Sequence, residues 1–331
     1  MKWWRRRTAP SAPSTGTTGA QEVAALRERV ARLEARLGEA RGFHSRFGGL
    51  WPDRRDAQHR IASMTGERGR LFRQWSERGF VVLEGAVPAV AIDAANAEIE
   101  GIYETSQPVI HAEWYEGADY HFAPVEARHR DMNVKVHDLY AHFESVRRVA
   151  FAEAVVAFLR ELFDEDALAF QSLSFRFGSE QPMHQDTAYV AVEDPLRFVG
   201  VWIALEDIAP GSGELLYYPG SHRFDDFLWD GEHKRMPQGH ADHERYLESL
   251  HRQAALRGIE ATRLLPRKGD AMVWHAELAH GGAPRRDPSL TRRSLVTHFC
   301  PLSTDPGYFR RQPHSERLRH ESGAWYGFAK R

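Results

Sequence analysis

In Gly178-Ser179-Glu180-Gln181-Pro182-Met183-His184-Gln185-Asp186, a turn-forming run leads into an imidazole and a carboxylate two residues apart. On an extended strand, residues two apart point to the same side, so His184 and Asp186 can reach one ion from adjacent inward positions. The triplet alone has little specificity. His129-Arg130-Asp131 and His240-Ala241-Asp242 share the pattern, and His-x-Glu triplets begin at His111, His142, His275 and His314. Context separates them. His129 lies in a polar run and His240 opens a charged helical stretch, where surface or capping roles are expected. His184 follows a strand-like run ending at Phe177, and Thr187-Ala188-Tyr189-Val190-Ala191-Val192 reads as extended beyond it.

A facial triad needs one more histidine from a distant strand, leaving open coordination positions of the kind that Fe(II) oxygenases use for co-substrate and dioxygen. Gly269 to Pro284 offers His275 and His280. Their spacing of five would point them to opposite faces of a regular strand. His280 is favoured because Gly281 and Gly282 follow it, where backbone can bend around a metal centre. His275 is the alternative, otherwise a core or supporting histidine. Further on, Thr291-Arg292-Arg293-Ser294-Leu295-Val296-Thr297-His298-Phe299 alternates so that Arg292, Ser294, Val296 and His298 share a face. An inward guanidinium forms a planar fork that matches a carboxylate. Arg292, assisted by Ser294, is therefore the candidate for an anionic co-substrate group, with Arg293 second.

Outward from these motifs, short β-like runs cover Phe170–Phe177, Phe198–Leu205, Glu214–Tyr218, Ala271–His275 and Arg293–Phe299, separated by Gly, Pro, Ser and Asp clusters. Helical spacing covers Val87–Tyr103 and Glu144–Leu162, and a charged helical insertion covers Ala241–Gly258. The sequence thus predicts a mainly β protein with flanking helices, its core an antiparallel sandwich or barrel. Residues 67–302 form the catalytic domain in this reading. Residues 1–20 are a basic, Ser/Thr/Pro-rich tail and 42–66 a connector. Within 21–41, Val23, Leu26, Val30, Leu33 and Leu37 make a narrow coiled-coil-like seam. It reads as a short amphipathic helix for homo-oligomerisation through residues 21–38, with packing on its own domain as the alternative. The 303–331 tail carries Trp325, Tyr326 and Phe328, expected to pack back on the domain.

Composition excludes several classes. Forty-four basic residues against 46 acidic ones give a net charge of −2, unlike the basic stripe of a nucleic-acid binder. The single cysteine, Cys300, rules out an internal disulfide and suits a reducing cytoplasm. No stretch has the length and apolarity of a membrane helix, and the basic start lacks the apolar core of a secretory signal.

At these motifs the chain resembles the phytanoyl-CoA dioxygenase family of Fe(II)/2-oxoglutarate oxygenases. The matching pieces run in order: Gly79–Gly85, Gln171-Ser172-Leu173, Gly178–Asp186, Gly200–Asp207, Gly213-Glu214-Leu215 with Pro219-Gly220-Ser221-His222, His280-Gly281-Gly282 and Arg292-Arg293-Ser294. The resemblance implies a double-stranded β-helix (a jelly-roll, cupin-like core) with iron on His184, Asp186 and His280. It implies that Arg292 grips the far carboxylate of 2-oxoglutarate while Gln171 and Trp202 line the co-substrate pocket. It further implies hydroxylation of an unactivated C–H bond with dioxygen, releasing succinate and carbon dioxide. Two positions depart from the family pattern, Gly282 and Arg285, where many relatives carry Ser and Asn. Residues 1–66 match no part of it.

The substrate is expected to be a small molecule, met by Tyr189, Tyr217, His222 and the loop from Arg223 to Gln238. Two other classes remain open on residues alone: a jelly-roll binding protein without turnover, and a cupin-like metalloenzyme that ignores 2-oxoglutarate. The first has no need for both the triad and Arg292.

Overall fold

The computed structural model describes residues 23, 42–105, 107–117, 119–237, 240–307 and 316–327. Apart from Val23, the tail and seam helix expected over residues 1–41 lie outside the described residues, as do Gln238 and Phe328.

Among the described residues, thirteen strands follow the chain: β1 (Phe80–Leu83), β2 (Gln107–Glu116), β3 (Asp119–Val125), β4 (Lys135–His137), β5 (Ala167–Phe175), β6 (Val199–Ala204), β7 (Leu215–Tyr217), β8 (Thr262–Leu264), β9 (Ala271–His275), β10 (His280–Gly282), β11 (Ser294–Pro301), β12 (Leu318–Arg319) and β13 (Trp325–Tyr326). Six helices accompany them: α1 (Ala57–Ala62), α2 (Gly66–Arg78), α3 (Ala89–Gly101), α4 (Glu144–Ala150), α5 (Glu153–Phe163) and α6 (His243–Leu256). The large sheet has the order β1-β9-β6-β11-β5-β4-β2-β3, with β13 joining β5 in parallel. The small sheet is β10-β7-β8, and an antiparallel bridge between His184 and His280 extends it by one more chain. Two facing antiparallel sheets of this kind form a jelly roll.

Period-two alternation explains how the large sheet serves two purposes. Val199, Val201 and Ile203 on β6, Ala271 and Val273 on β9, and Leu295 and Phe299 on β11 belong to one core cluster with Val149, Val155, Phe158 and Leu159 of the helical layer. The intervening Trp202, Ala204, Met272, Trp274 and Val296 turn inward against Phe80, Leu215 and Tyr217. Residues 42–66 join the outer core rather than standing apart. Leu50, Ala57, Ile61 and Met64 are buried in it, and the Trp51 indole donates to the Glu161 carbonyl at 2.9 Å.

Three expectations need correction. Glu144–Leu162 is two helices, broken at Phe151 and Ala152, because the Phe151 ring is drawn into a cluster with Tyr140, Phe299 and Tyr326. Helices do not simply precede strands, since β2, β3 and β4 lie between α3 and α4. The segment after Asp186 is not extended. It turns at once through a 3-10 helix over Asp186–Ala188, where the Thr187 hydroxyl bonds the buried Glu277 carboxylate and Met236 N–H donates to Ala188 at 2.9 Å. Within the described part of the tail, Tyr326 lies 5.6 Å from Phe151 and 6.1 Å from Tyr140, ring to ring.

Helix α2 stops at Gly79, whose φ of 76° lets its N–H close on Trp75 O before β1 begins. A Cβ there would also sit 2.7 Å from Cγ of His222. Gly79→Ala should therefore destabilise the fold by about 1–3 kcal/mol. Urea unfolding with an unchanged slope and a lower midpoint is the expected result.

Candidate metal centre

Two strands and one turn assemble the centre. His184 and His280 are a hydrogen-bonded antiparallel pair, each N–H donating to the other's carbonyl at 2.8 Å. Gln185 is extended, so Asp186 returns to the same side as His184 before the chain turns away. The glycines after His280 are a packing requirement. A Cβ on Gly281 would lie 2.8 Å from Gln181 O, and one on Gly282 2.7 Å from Glu180 N, so neither position accepts a side chain without backbone movement. Arg285, the other departure, lies over the Phe177 ring at 4.1 Å.

His184, Asp186 and His280 are all buried, and their ligand atoms lie close enough together to hold one metal ion. Both histidines are oriented by carbonyls. Nδ1 of His184 is 2.8 Å from Pro182 O, and Nδ1 of His280 is 2.9 Å from Leu278 O. A carbonyl only accepts, so each Nδ1 carries the proton and each Nε2 lone pair is free for a metal. These Nε2 atoms lie 3.8 and 3.7 Å from Oδ1 of Asp186. Burial, with His280 alongside, pushes the His184 pKa down to about 4, which keeps the ring neutral. Burial would raise the Asp186 carboxyl, but His280, His298 and His184 hold it well below the usual carboxylate range. Its second oxygen, Oδ2, accepts the Trp274 indole N–H at 2.8 Å, with His298 Nε2 at 3.4 Å.

The centre opens into a cavity of 680 Å³. The inward face of the large sheet supplies one wall, with Gln171, Trp202, Trp274, Arg292, Val296 and His298. Arg292 is 2% exposed and bonds Ser294 Oγ at 3.2 Å, with its guanidinium over the Phe175 and Trp202 rings. Its Nε is unpartnered, and Glu206 and Glu214 act on it from beyond ion-pair distance. Burial lowers its pKa to about 10. Arg293 faces the other way and pairs with Glu100 at 2.9 Å. At the outer end of the cavity, Glu113 bridges Lys135 at 2.7 Å and His137 at 3.0 Å. Tyr115 and Tyr120 stand near them, while Tyr189 bonds His243 Nε2 at 2.7 Å.

Of the residues expected from sequence, His184, Asp186, His280, Arg292, Gln171, Trp202 and Tyr189 meet at this cavity, and Ser294 supports Arg292 from behind. Tyr217 and His222 do not line it. Tyr217 packs edge-on against Phe80 at 4.7 Å, and His222 lies beside His275, which approaches Asp53 at 3.3 Å. The loop after Arg223 buries Phe224 and Trp229 against α6. The other His-x-Asp triplets cap locally: His129 Nδ1 accepts from Glu126 N–H, and His240 Nδ1 from Asp242 N–H. Sequence reading missed Trp274, His298 and the Glu113–Lys135–His137 group. Alternation already put His298 on the Arg292 face, and Trp274 opposite His275. The last group lies on β2 and β4, which carried no strand assignment.

A jelly roll that gathers two imidazoles and one carboxylate at a cavity defines a mononuclear metal protein of the non-haem type. The chain belongs to the phytanoyl-CoA dioxygenase (PhyH) family, whose model matches residues 75–294. It is 28% identical over 174 residues to mouse phytanoyl-CoA dioxygenase domain-containing protein 1, covering 51% of this chain and 57% of that protein. Against human peroxisomal phytanoyl-CoA dioxygenase the identity is 25% over 243 residues, covering 68% of this chain and 66% of the relative. The matches thus span between half and two thirds of these relatives' length. In fold it is similar to the non-heme alpha-ketoglutarate-dependent epimerase SnoN from nogalamycin biosynthesis (TM-score 0.56, 16% identity, 78% of this chain, 97% of that one). It is equally similar to the carbocyclase SnoK of the same biosynthesis (TM-score 0.56, 15%, 80% and 98%). No helix among the described residues is long and apolar enough to cross a membrane.

The buried neutral histidines fix the sign of the acid response. His184 at about 4 and His222 at about 3 both lie below the ordinary 6.5. Between these values the unfolded chain binds protons that the folded chain does not, so stability falls as pH drops below about 6.5. Glu113, held down to about 2, adds a loss of the same sign below 4.5. Urea unfolding of metal-free protein from pH 7 to 4.5 should show this decline, with a shallower slope in His222→Asn. An equal slope in the variant would mean that His222 titrates as it does in water.

Proposed function

We propose that this protein is an Fe(II)- and 2-oxoglutarate-dependent dioxygenase that hydroxylates a C–H bond of a small-molecule substrate. Family membership and the donor set support iron on His184, Asp186 and His280. The observation that carries the co-substrate is Arg292. A guanidinium this buried, which Glu206 and Glu214 influence only from beyond ion-pair distance, carries a large desolvation cost unless an anion meets it. It stands on the same cavity wall as Trp202 and His298, facing the room beside the centre. A dicarboxylate reaching from metal to Arg292 satisfies both ends, and 2-oxoglutarate is the family's dicarboxylate.

Bound at this centre, iron would supply dioxygen activation coupled to decarboxylation of 2-oxoglutarate, giving succinate and carbon dioxide. The protein's own part is positioning. Pro182 and Leu278 carbonyls hold the imidazoles in the ligating tautomer. Arg292 and Ser294 anchor the distal carboxylate, and Gln171 and Trp202 shape its slot. The outer cavity, bounded by Tyr115, Tyr120, Tyr189 and the Glu113–Lys135–His137 group, would take the substrate next to the centre.

Anaerobic titration of the Fe(II)-loaded protein with 2-oxoglutarate, read by the visible metal-to-ligand charge-transfer band, tests the assignment. The band should form in wild type and vanish in His280→Ala. Arg292→Leu should weaken 2-oxoglutarate binding by about 2–5 kcal/mol, roughly thirtyfold or more. The same variant should unfold at a higher temperature than wild type when both are free of ligand, because it removes a buried charge that no direct ion pair offsets. No band in iron-loaded wild type would remove the 2-oxoglutarate reading.

A further inference from the structure

The two oxygens of Asp186 are treated differently by the fold. Oδ1 faces both ligating imidazole nitrogens at 3.8 and 3.7 Å. Oδ2 is turned to the large sheet, where it accepts from Trp274 Nε1 at 2.8 Å and has His298 Nε2 at 3.4 Å. An indole N–H can only donate, and this one lies in a fully buried residue, 2% exposed. Swinging Oδ2 toward the centre would leave that donor buried and unsatisfied, at a cost of about 1–3 kcal/mol. The indole is itself fixed. It packs on His280 with centroids 4.6 Å apart, and its slot exists because β6 carries a glycine directly opposite in the sheet register. A Cβ on Gly200 would fall 2.5 Å from Nε1 and Cζ2 of Trp274. Gly200, Trp274 and Asp186 therefore act together, though they lie far apart in sequence.

We infer that Trp274, seated over Gly200, is a positioning residue that locks Asp186 into single-oxygen coordination of the metal. This rests on the triad binding a metal as proposed above. The consequence is a matter of coordination count. Two imidazoles and one carboxylate oxygen occupy half of an octahedral ion and leave a face for ligands. A carboxylate binding through both oxygens would take one of those positions and leave too few for a chelating co-substrate and dioxygen together. Glycine at 200 and tryptophan at 274 thus preserve the open face from outside the ligand shell, as outer partners of metal ligands do.

The test uses Mn(II) alone as probe, with wild type, Trp274→Phe and Gly200→Ala. Trp274→Phe keeps an aromatic ring beside His280 and deletes only the N–H and one ring. Gly200→Ala keeps the N–H and displaces it. Water-proton relaxation counts the waters left on bound Mn(II), which a general packing defect would not change. Wild type should retain a full face of waters. Both variants should lose about one third of the inner-sphere relaxivity, and Mn(II) affinity should fall roughly 10- to 100-fold in at least Trp274→Phe. Hydration unchanged in whichever variant remains folded, with affinity within about twofold of wild type, overturns the inference. Wild type that binds Mn(II) with normal hydration yet gives no charge-transfer band with Fe(II) and 2-oxoglutarate would sink the co-substrate reading alone. Wild type that binds no Mn(II) overturns both.

Discussion

Two backbone hydrogen bonds between His184 and His280 hold the centre together. They fix the separation of the two chains from which both imidazoles rise, and they join the loop after β5 to the small sheet. The chain can approach this closely only because Gly281 and Gly282 present no side chain to the backbone of Glu180–Met183. Everything else at the site is arranged relative to this pair. Asp186 follows one histidine by an extended residue, and Trp274 packs against the other. A side chain on either glycine would therefore act on the metal through geometry while removing no ligand.

Strands β6, β9 and β11 of the large sheet are buried on both faces, and the two faces do different work. Aliphatic residues of β6, β9 and β11 point outward into the helical layer, where burial contributes stability in proportion to apolar area. The inward positions of the same strands carry Trp202, Trp274 and His298, and Arg292 stands just before β11 on the same side. A rigid, helix-backed sheet is a suitable mount for groups that must hold fixed positions. The outer cavity is built differently, from the β2–β3 hairpin, Tyr189 and α6, and Tyr115 and Tyr120 there are well exposed.

The centre was legible in the sequence because its ligands follow strand periodicity. Alternation put His184 with Asp186 and Arg292 with His298, while the strand-like context singled out that triplet and the two glycines after His280 favoured it over His275. The core strands β5, β6, β9 and β11 were legible for the same reason. What lay outside that periodicity was not. The turn after Asp186 is stabilised by Glu277 and Met236, both far along the chain, and no local pattern encodes them. Tyr217 lies in register opposite His280 and shares its inward face, yet its ring packs edge-on against Phe80 within the apolar cluster between the sheets. His222 belongs to a cluster with Asp53 and His275, which requires residues before the domain to pack behind it. The hairpin β2–β3 alternates weakly, with charged and aromatic residues on both faces, so neither helix nor strand period stood out.

Charge at the site is arranged so that two separate deficits have one remedy. Asp186 is kept ionised by the imidazoles around it, against the cost of its burial, and it accepts the Trp274 indole N–H. Arg292, on the large-sheet wall, is buried, and Glu206 and Glu214 act on it only from beyond ion-pair distance. They do not neutralise each other directly, because the cavity between them holds them apart. A cation at the triad removes the first deficit and an anion at Arg292 the second, and a ligand that bridges them removes both. On the proposed function, the same separation would cost the ligand-free fold stability and would favour a metal together with an extended acid.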